Sequence, residues 1–261
     1  MLRSRLREHL VSSAIAGAVA TPREANLHTY RNFASGGPYH RFGLTSPRSW
    51  TAEEVLSLMA RRCGVNPDPG YLTGPDTIDP ERTLAALDAA AACLAQTAAA
   101  RGSVLLATGH PSGLLQVHLG LAAALRAAGC RMLMPATGWR YQERRRGEDE
   151  TREIRWVGDV AMVSNHGELN HTHSARPMQG ILAELAETGQ ELPDLVVADH
   201  GWAGAGGEAG ARVVGFADCN DPALFVGQED GKVEVVVPLD DNVTPALYLP
   251  VVEYLRQAAG I

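Results

Sequence analysis

Lysine is almost missing from this chain of 261 residues: Lys232 stands alone among 23 basic residues, and the rest are arginine. Schiff-base chemistry is therefore confined to one side chain, and a P-loop, which needs Gly-Lys-Ser/Thr, is excluded. Cysteine is also sparse. Cys63, Cys93, Cys130 and Cys219 lie far apart, with no pair at metal or redox spacing, so structural zinc is not expected and free thiols in a reducing compartment are. Positive charge is in deficit, 23 basic against 30 acidic residues for a formal charge of -7, which disfavours nucleic acid and anionic membrane as partners. No apolar run approaches the roughly 20 residues of a membrane span. Met1–Leu10 is Arg-rich and Val11–Ala20 is small and apolar, but Glu8 and His9 interrupt the approach and the apolar stretch is weaker than a signal peptide's. The expected location is the cytoplasm.

What is present divides in two. Residues 1–100 read as a helical N-terminal region: a helix over Arg3–Ala20 ended by Thr21-Pro22, an irregular Asn26–Ser49, a helix capped by Ser49, a loop from Asn66 to Pro80, and an Ala-rich helix over Glu81–Ala100. Its polar residues Arg23, Glu24, Asn26, His28 and Tyr30 suggest a lid that contributes substrate contacts. Residues 101–261 read as an α/β catalytic region forming one compact unit with the first. Apolar runs at Val104–Ala107, Arg131–Met134, Asp159–Val163, Leu195–Ala198, Val213–Ala217 and Val233–Val237 alternate with helical segments, which predicts a mostly parallel, Rossmann-like sheet with helices on both faces. Arg140–Arg155, with Arg144-Arg145-Arg146 followed by Gly147-Glu148-Asp149-Glu150, reads as a solvated loop; its three arginines could also steer an anion.

Reactive residues collect in five polar turns: Gly109-His110-Pro111-Ser112-Gly113, Asn165-His166-Gly167 through His171-Thr172-His173-Ser174, Asp199-His200, Asp218-Cys219-Asn220-Asp221 and Asp240-Asp241-Asn242. Ligands of open α/β sheets bind beyond the carboxyl ends of the strands, where these turns lie. Asp218, Asn220, Asp221 and Asp199 offer the hard oxygens that Mg²⁺ or Mn²⁺ prefers, with Zn²⁺ or another transition metal the alternative. His110, His173 and His200 are the proton carriers, His171 being on the same side of an extended segment as His173. Gly109, Ser112, Gly113, Ser174 and Arg176 could hold a phosphate at helix N-termini. Asp240–Asn242 reads equally well as a helix cap, and His118 as a packing histidine.

Several mechanisms are excluded by motif. No Arg follows Cys219 as a thiol phosphatase needs, His166 and His200 are not in Arg-His-Gly, Asp218 and Asp221 are three apart rather than two, and Ser112 is not in Gly-x-Ser-x-Gly. Metal- or histidine-assisted attack by water remains.

The runs Ala107-Thr108-Gly109-His110-Pro111, His171-Thr172-His173-Ser174, Val197–Gly204, Ala217–Leu224 and Val237–Asp241, with Ala20-Thr21-Pro22-Arg23-Glu24 near the start, resemble a family of actinobacterial proteins described as phosphatases. The likeness covers nearly the whole chain. The helical front half also resembles the damage-control metal-dependent phosphatases, but these show Asp-Asn after an early strand where this chain has Gly109-His110, so no ligand carries over. The resemblance implies a phosphatase, and with the residues of the turns the expectation is a metal-dependent one acting on a small phosphorylated metabolite, such as a sugar phosphate or nucleotide. An isomerase or lyase on a phosphorylated sugar and a non-catalytic metabolite-binding protein are the alternatives; a homodimer is compatible with each.

Overall fold

The computed structural model describes residues 2–145 and 148–261. The front of the chain runs α1 (Arg3–Ser12), β1 (Gly17–Pro22), α2 (Arg23–Ala34), α3 (Ala52–Arg62), β2 (Pro75–Ile78) and α4 (Pro80–Ala99). It continues with β3 (Ser103–Ala107), α5 (Pro111–Ala127), β4 (Arg131–Met132), β5 (Arg140–Arg145), β6 (Glu148–Val157), β7 (Val160–Asn165), β8 (Glu168–Asn170) and α6 (Arg176–Glu187). The last elements are β9 (Leu195–Asp199), α7 (His200–Glu208), β10 (Val213–Ala217), α8 (Pro222–Glu229), β11 (Val235–Pro238) and α9 (Leu249–Ala259). The fold is α/β, as the alternation of apolar runs and helical segments predicts.

The central sheet has the order β11-β10-β9-β3-β7-β6-β5, with β4 also on β3 and β8 on β7. Its inner strands are parallel, pairing Leu106 with Val160, Leu105 with Val196, Val197 with Val214 and Phe216 with Val237. β3, β9, β10 and β11 are buried along their whole length, which is why they read as unbroken Val/Leu/Ala runs rather than alternating ones. From β3 the chain first adds strands on one side, then returns through α6 to build β9, β10 and β11 on the other. The reversal between β3 and β9 opens a crevice at the strands' carboxyl ends.

The front half departs from its sequence reading in two places. The first helix ends at Ser12, and Gly17–Pro22 instead pairs antiparallel with Pro75–Ile78, inside the expected loop. Small and β-branched residues such as Ser13, Val19 and Thr21 have weak helix preference, so pairing with β2 decides. Residues 26–34 are helical, because Leu27, Tyr30 and Phe33 recur at three-residue steps and are buried. α3 starts two residues later than expected. Thr51, not Ser49, is its cap, in a capping box where Glu54 N–H donates to Thr51 Oγ1 and Thr51 N–H donates to Glu54.

Three of the polar residues expected in a lid, Arg23, Asn26 and Tyr30, are buried structural groups instead, while Glu24 and His28 are exposed. Arg23 donates to Asp76 Oδ2 at 3.1 Å with both side chains fully buried, Asn26 donates to the same oxygen, and Tyr30 donates to the carbonyl of Cys219 at 2.6 Å. They pin the front half beneath the β10 turn.

Arg140–Arg155 is also corrected: β5 and β6 form an antiparallel hairpin that widens the sheet, with Arg140 opposite Glu153 and Arg144 opposite Asp149. Charges of both signs face each other across the strands, which stabilises a ladder as well as a loop. Arg152 is buried between Glu143 at 3.0 Å and Glu150 at 2.8 Å. Arg146 and Gly147 of the basic run lie outside the described residues.

Candidate active site

All five turns reach the crevice, the second only through its His171–His173 part, and Gly109 and Gly113 let them do so. A Cβ on Gly109 would meet the carbonyl oxygen of Thr172 at 2.4 Å, and one on Gly113 would meet that of Asp241 at 1.9 Å. These glycines draw the 171–173 and 240–242 segments onto the start of α5, so their role in the fold is close backbone approach. The first part of that second turn, Asn165–Gly167, is elsewhere. His166 and Gly167 both have positive φ and close the two-residue β7–β8 hairpin, Asn165 pairing with Glu168.

The convergence leaves a cavity of about 370 Å³. Its walls carry the imidazoles of His110, His171, His173 and His200, the carboxylates of Asp218, Asp221 and Asp241, the amides of Asn220 and Asn242, and the hydroxyls of Thr21 and Ser112. There is no Lys or Arg among the lining residues. Ser174 and Arg176 point elsewhere: Ser174 Oγ accepts from Arg176 N–H, and the Arg176 guanidinium donates to the Gln142 carbonyl and lies over the Tyr141 ring at 4.9 Å.

His200 sits at the centre. Its φ of +48° is in the left-handed region, a strain of about 1–3 kcal/mol for a non-glycine residue that the surroundings must enforce. Asp199, fully buried, enforces it: Oδ1 accepts from His200 Nδ1–H at 2.7 Å and from Gly109 N–H at 2.6 Å, while Oδ2 accepts from His118 Nε2–H at 3.1 Å. These bonds occupy Asp199 and turn His200 Nε2 toward the cavity, 3.4 Å from Asp221 and 3.5 Å from Asp241. His173 stacks on His200 at 4.5 Å, its Nε2 lies 3.0 Å from that of His171, and His171 in turn stacks on His110 at 4.3 Å. Tyr39 stacks on the outer face of His173 at 4.6 Å.

The electrostatics follow from crowding. Burial opposes the charge on His200, but Asp221, Asp199 and Asp241 outweigh it and raise the imidazole to about 10. Burial, with His200 and His110 nearby, lowers His171 to about 4, and the same causes lower His173 further. Burial also opposes ionisation of Asp199, yet the hydrogen bonds from His118 and His200 hold it well below the usual carboxylate range. Asp218 is pushed well up by burial and by the charges of Asp241 and Asp240, and Asp221 rises to about 7 through burial and Asp241, His200 opposing. Burial works against the charge of His110, but Asp241, 3.2 Å away, raises it.

Among the described residues, three groups of side chains bring ligand atoms within 4.8 Å of one another: His110, His171 and His200; His173, His200 and Asp221; Asp218, Asp240 and Asp241. The buried Asp241 Oδ2 and His173 Nδ1 have no hydrogen-bond partner. Unused lone pairs among imidazoles and carboxylates fit a divalent cation. Neither Asp199 nor Asn220 belongs to these groups.

Of the residues singled out by sequence, His110, His173, His200, Ser112, Asp218, Asn220 and Asp221 line the cavity. Thr21 also lines it without having been named as a site residue, and so does Asp241, whose turn reads equally well as a helix cap. Thr21 donates to Asp218 Oδ2 at 2.5 Å from a strand read as helix, and only the Ala20–Glu24 motif hinted at it. Asp241 was masked by the capping alternative.

A family model described as Phosphatase matches residues 1–261. The chain is 47% identical over 261 residues to Phosphatase SCO2771 of Streptomyces coelicolor, covering 99% of this chain and 97% of that protein.

Proposed function

The chain belongs to the phosphatase family, and from that premise we propose that this hydrolase uses divalent metal at the His200 cavity to cleave a small phosphomonoester, a sugar phosphate or nucleotide. One observation carries the metal dependence. A phosphomonoester brings about −1.5 to −2 charges at neutral pH, and the cavity offers it carboxylates and no Lys or Arg. The imidazoles of His200 and His110 are the cavity's own positive groups and both are engaged by carboxylates, so bound cations held by the imidazole and carboxylate groups would supply the charge that the phosphate lacks there. With imidazole in two of the three groups, the donor set favours Mn²⁺ or Zn²⁺ over Mg²⁺ there. When bound, the cation supplies charge to the phosphoryl oxygens and acidifies water.

His173, His200 and Asp221 are the proposed ligands, with His171 beside them. Asp199 moves in this reading from ligand to positioning residue: with both oxygens engaged, it holds the His200 ring so that Nε2 faces the cavity. His110, backed by Asp241, is placed to give a proton to the leaving-group oxygen as the P–O ester bond breaks and water supplies the new oxygen. Ser112, Asn220 and Asn242 supply hydrogen bonds to substrate oxygens, and the first turns of α5 and α8, whose caps His110 and Asp221 make no side-chain cap bond, present helix N-termini to the anion. A cavity of about 370 Å³ suits a metabolite rather than a protein substrate. Among the described residues no helix is long and apolar enough to cross a membrane; the four buried free thiols support a reducing cytoplasm as the working compartment.

The test is release of inorganic phosphate from a panel of nucleoside monophosphates and sugar phosphates. Chelated protein is expected to be inactive and to recover with Mn²⁺ or Zn²⁺. Undiminished turnover after metal removal overturns the metal dependence, and no release with any divalent ion overturns the reading.

A further inference from the structure

Two carboxylates behind the imidazoles are unused by the proposed reaction. Asp218 accepts from Cys219 N–H at 2.6 Å and from Thr21 Oγ1–H at 2.5 Å; Asp240 accepts from Asn242 N–H at 2.9 Å and from Ala20 N–H at 3.2 Å. Each bond goes to a different oxygen, and every donor is neutral. The bonds fix the planes of the carboxylates, and no donor among them brings a positive charge. Among the described residues no Lys or Arg pairs with either.

Asp241 completes the group, with one oxygen from each of the three within 4.8 Å of the others. It is 5% exposed. Its Oδ1 lies 3.2 Å from His110 Nδ1, and its Oδ2, 3.5 Å from His200 Nε2, is buried without a hydrogen-bond partner. An acidic cluster alone implies nothing, because carboxylates can share protons. A buried carboxylate with an orphaned oxygen, standing beside two carboxylates whose planes are already fixed, is different: together they form a hard-oxygen donor set with lone pairs still to be used.

We propose that Asp218, Asp240 and Asp241 hold a second divalent cation, separate from the one at His173, His200 and Asp221, with Asp241 as the edge shared by the two positions. The inference rests on the metal-dependent reading of the cavity. All-oxygen donors select Mg²⁺ or Mn²⁺ and imidazole donors select Zn²⁺, so the two positions differ in preference. Adjacent cations place positive charge on both sides of a phosphoryl group, the usual value of a paired site.

The experiment uses full-length protein stripped with chelator, reloaded with one equivalent of Zn²⁺ and titrated with Mn²⁺. Bound Mn²⁺ is counted from the loss of the free-ion electron paramagnetic resonance signal. One further Mn²⁺ is expected to bind. Asp240→Asn should weaken Mn²⁺ at least about tenfold while Zn²⁺ loading stays at the wild-type level, and Asp221→Asn should do the reverse. Zn²⁺ binding without any Mn²⁺ uptake, or wild-type Mn²⁺ affinity in Asp240→Asn, overturns the second position and leaves the first intact. Failure to bind any divalent ion overturns both. Should Asp240→Asn not fold, judged by circular dichroism, the wild-type titration still decides.

Discussion

Replacing Asp218 by asparagine should make the metal-free protein more stable and the metal-loaded protein less so. At 4.8 Å, two carboxylates in an effective dielectric of about 20 repel by about 3.5 kcal/mol. Facing both Asp240 and Asp241, an ionised Asp218 would meet about 7 kcal/mol, whereas holding a proton at pH 7 costs an aspartate about 4 kcal/mol. Protonation is the cheaper course, in accord with the upward displacement of this group by burial and its neighbours. The sign follows: the folded state keeps a proton that the unfolded state loses above about pH 4, so stability declines as pH rises from there toward neutrality. The asparagine of Asp218→Asn would need no proton. Its amide can face the Thr21 hydroxyl while its oxygen keeps the Cys219 N–H bond, so the net gain is about 2–3 kcal/mol after imperfect hydrogen bonding is subtracted. At about 2 °C per kcal/mol for a chain of this size, Tm in chelator should rise by about 5 °C at pH 7. Saturating Mn²⁺ should reverse the order, because a cation at 1,000 times its Kd adds about 4 kcal/mol to wild type and less to the variant. Differential scanning calorimetry with and without chelator measures both. A variant that melts below wild type in chelator refutes the repulsion, and equal stabilisation by Mn²⁺ refutes the ligand role.

Metal uptake should release protons, since His200 is raised to about 10 and must give up its Nε2 proton to bind; affinity therefore rises with pH up to about 10, and calorimetric titration at pH 7.5 in buffers of different ionisation enthalpy should count about one proton from this residue. Asp199→Asn, which leaves the imidazole without its carboxylate acceptor, is expected to weaken metal binding about 10–100-fold without touching the cation. Gly113→Ala forces a methyl group onto the Asp241 carbonyl oxygen, and the displaced 240–242 segment should lower Tm by several degrees and abolish phosphate release together. Arg23→Ala strands the buried Asp76 carboxylate and should cost about 3–5 kcal/mol by denaturant titration, in a single transition if, as we propose, both halves form one unit.

The strands that carry the site were legible because they are buried on both faces: Val196, Val197, Val213, Val214 and Phe216 leave no polar position to confuse the pattern. The turns after them were legible for a complementary reason, since His110, His200, Asp218 and Asp221 are types seldom buried without a task. The front half was not. Residues 13–22 are small, and their side chains select neither helix nor strand; the distant partner strand Pro75–Ile78 makes the choice. The same gap hid Thr21. Asp241 and Asn242 defeated local reading because a cap and a cavity wall call for the same residue types, and only the approach of Gly113 to the Asp241 backbone distinguishes them. The hairpin of β5 and β6 was lost among charges that compensate across strands rather than along one.

The bond from Thr21 to Asp218 and that from Ala20 to Asp240 join residues 197 and 220 positions apart. At the roughly 5–20 residues per second of synthesis, strand β1 leaves the ribosome about 10–40 s before Asp218 does. During that interval β1 and α2 have no β10 turn to clasp. A chain cut short anywhere before residue 240 lacks Asp240 and Asp241, so the proposed site stays incomplete until translation is all but finished. The topology thus separates the synthesis of the strand that clasps the proposed site from the synthesis of the carboxylates it clasps.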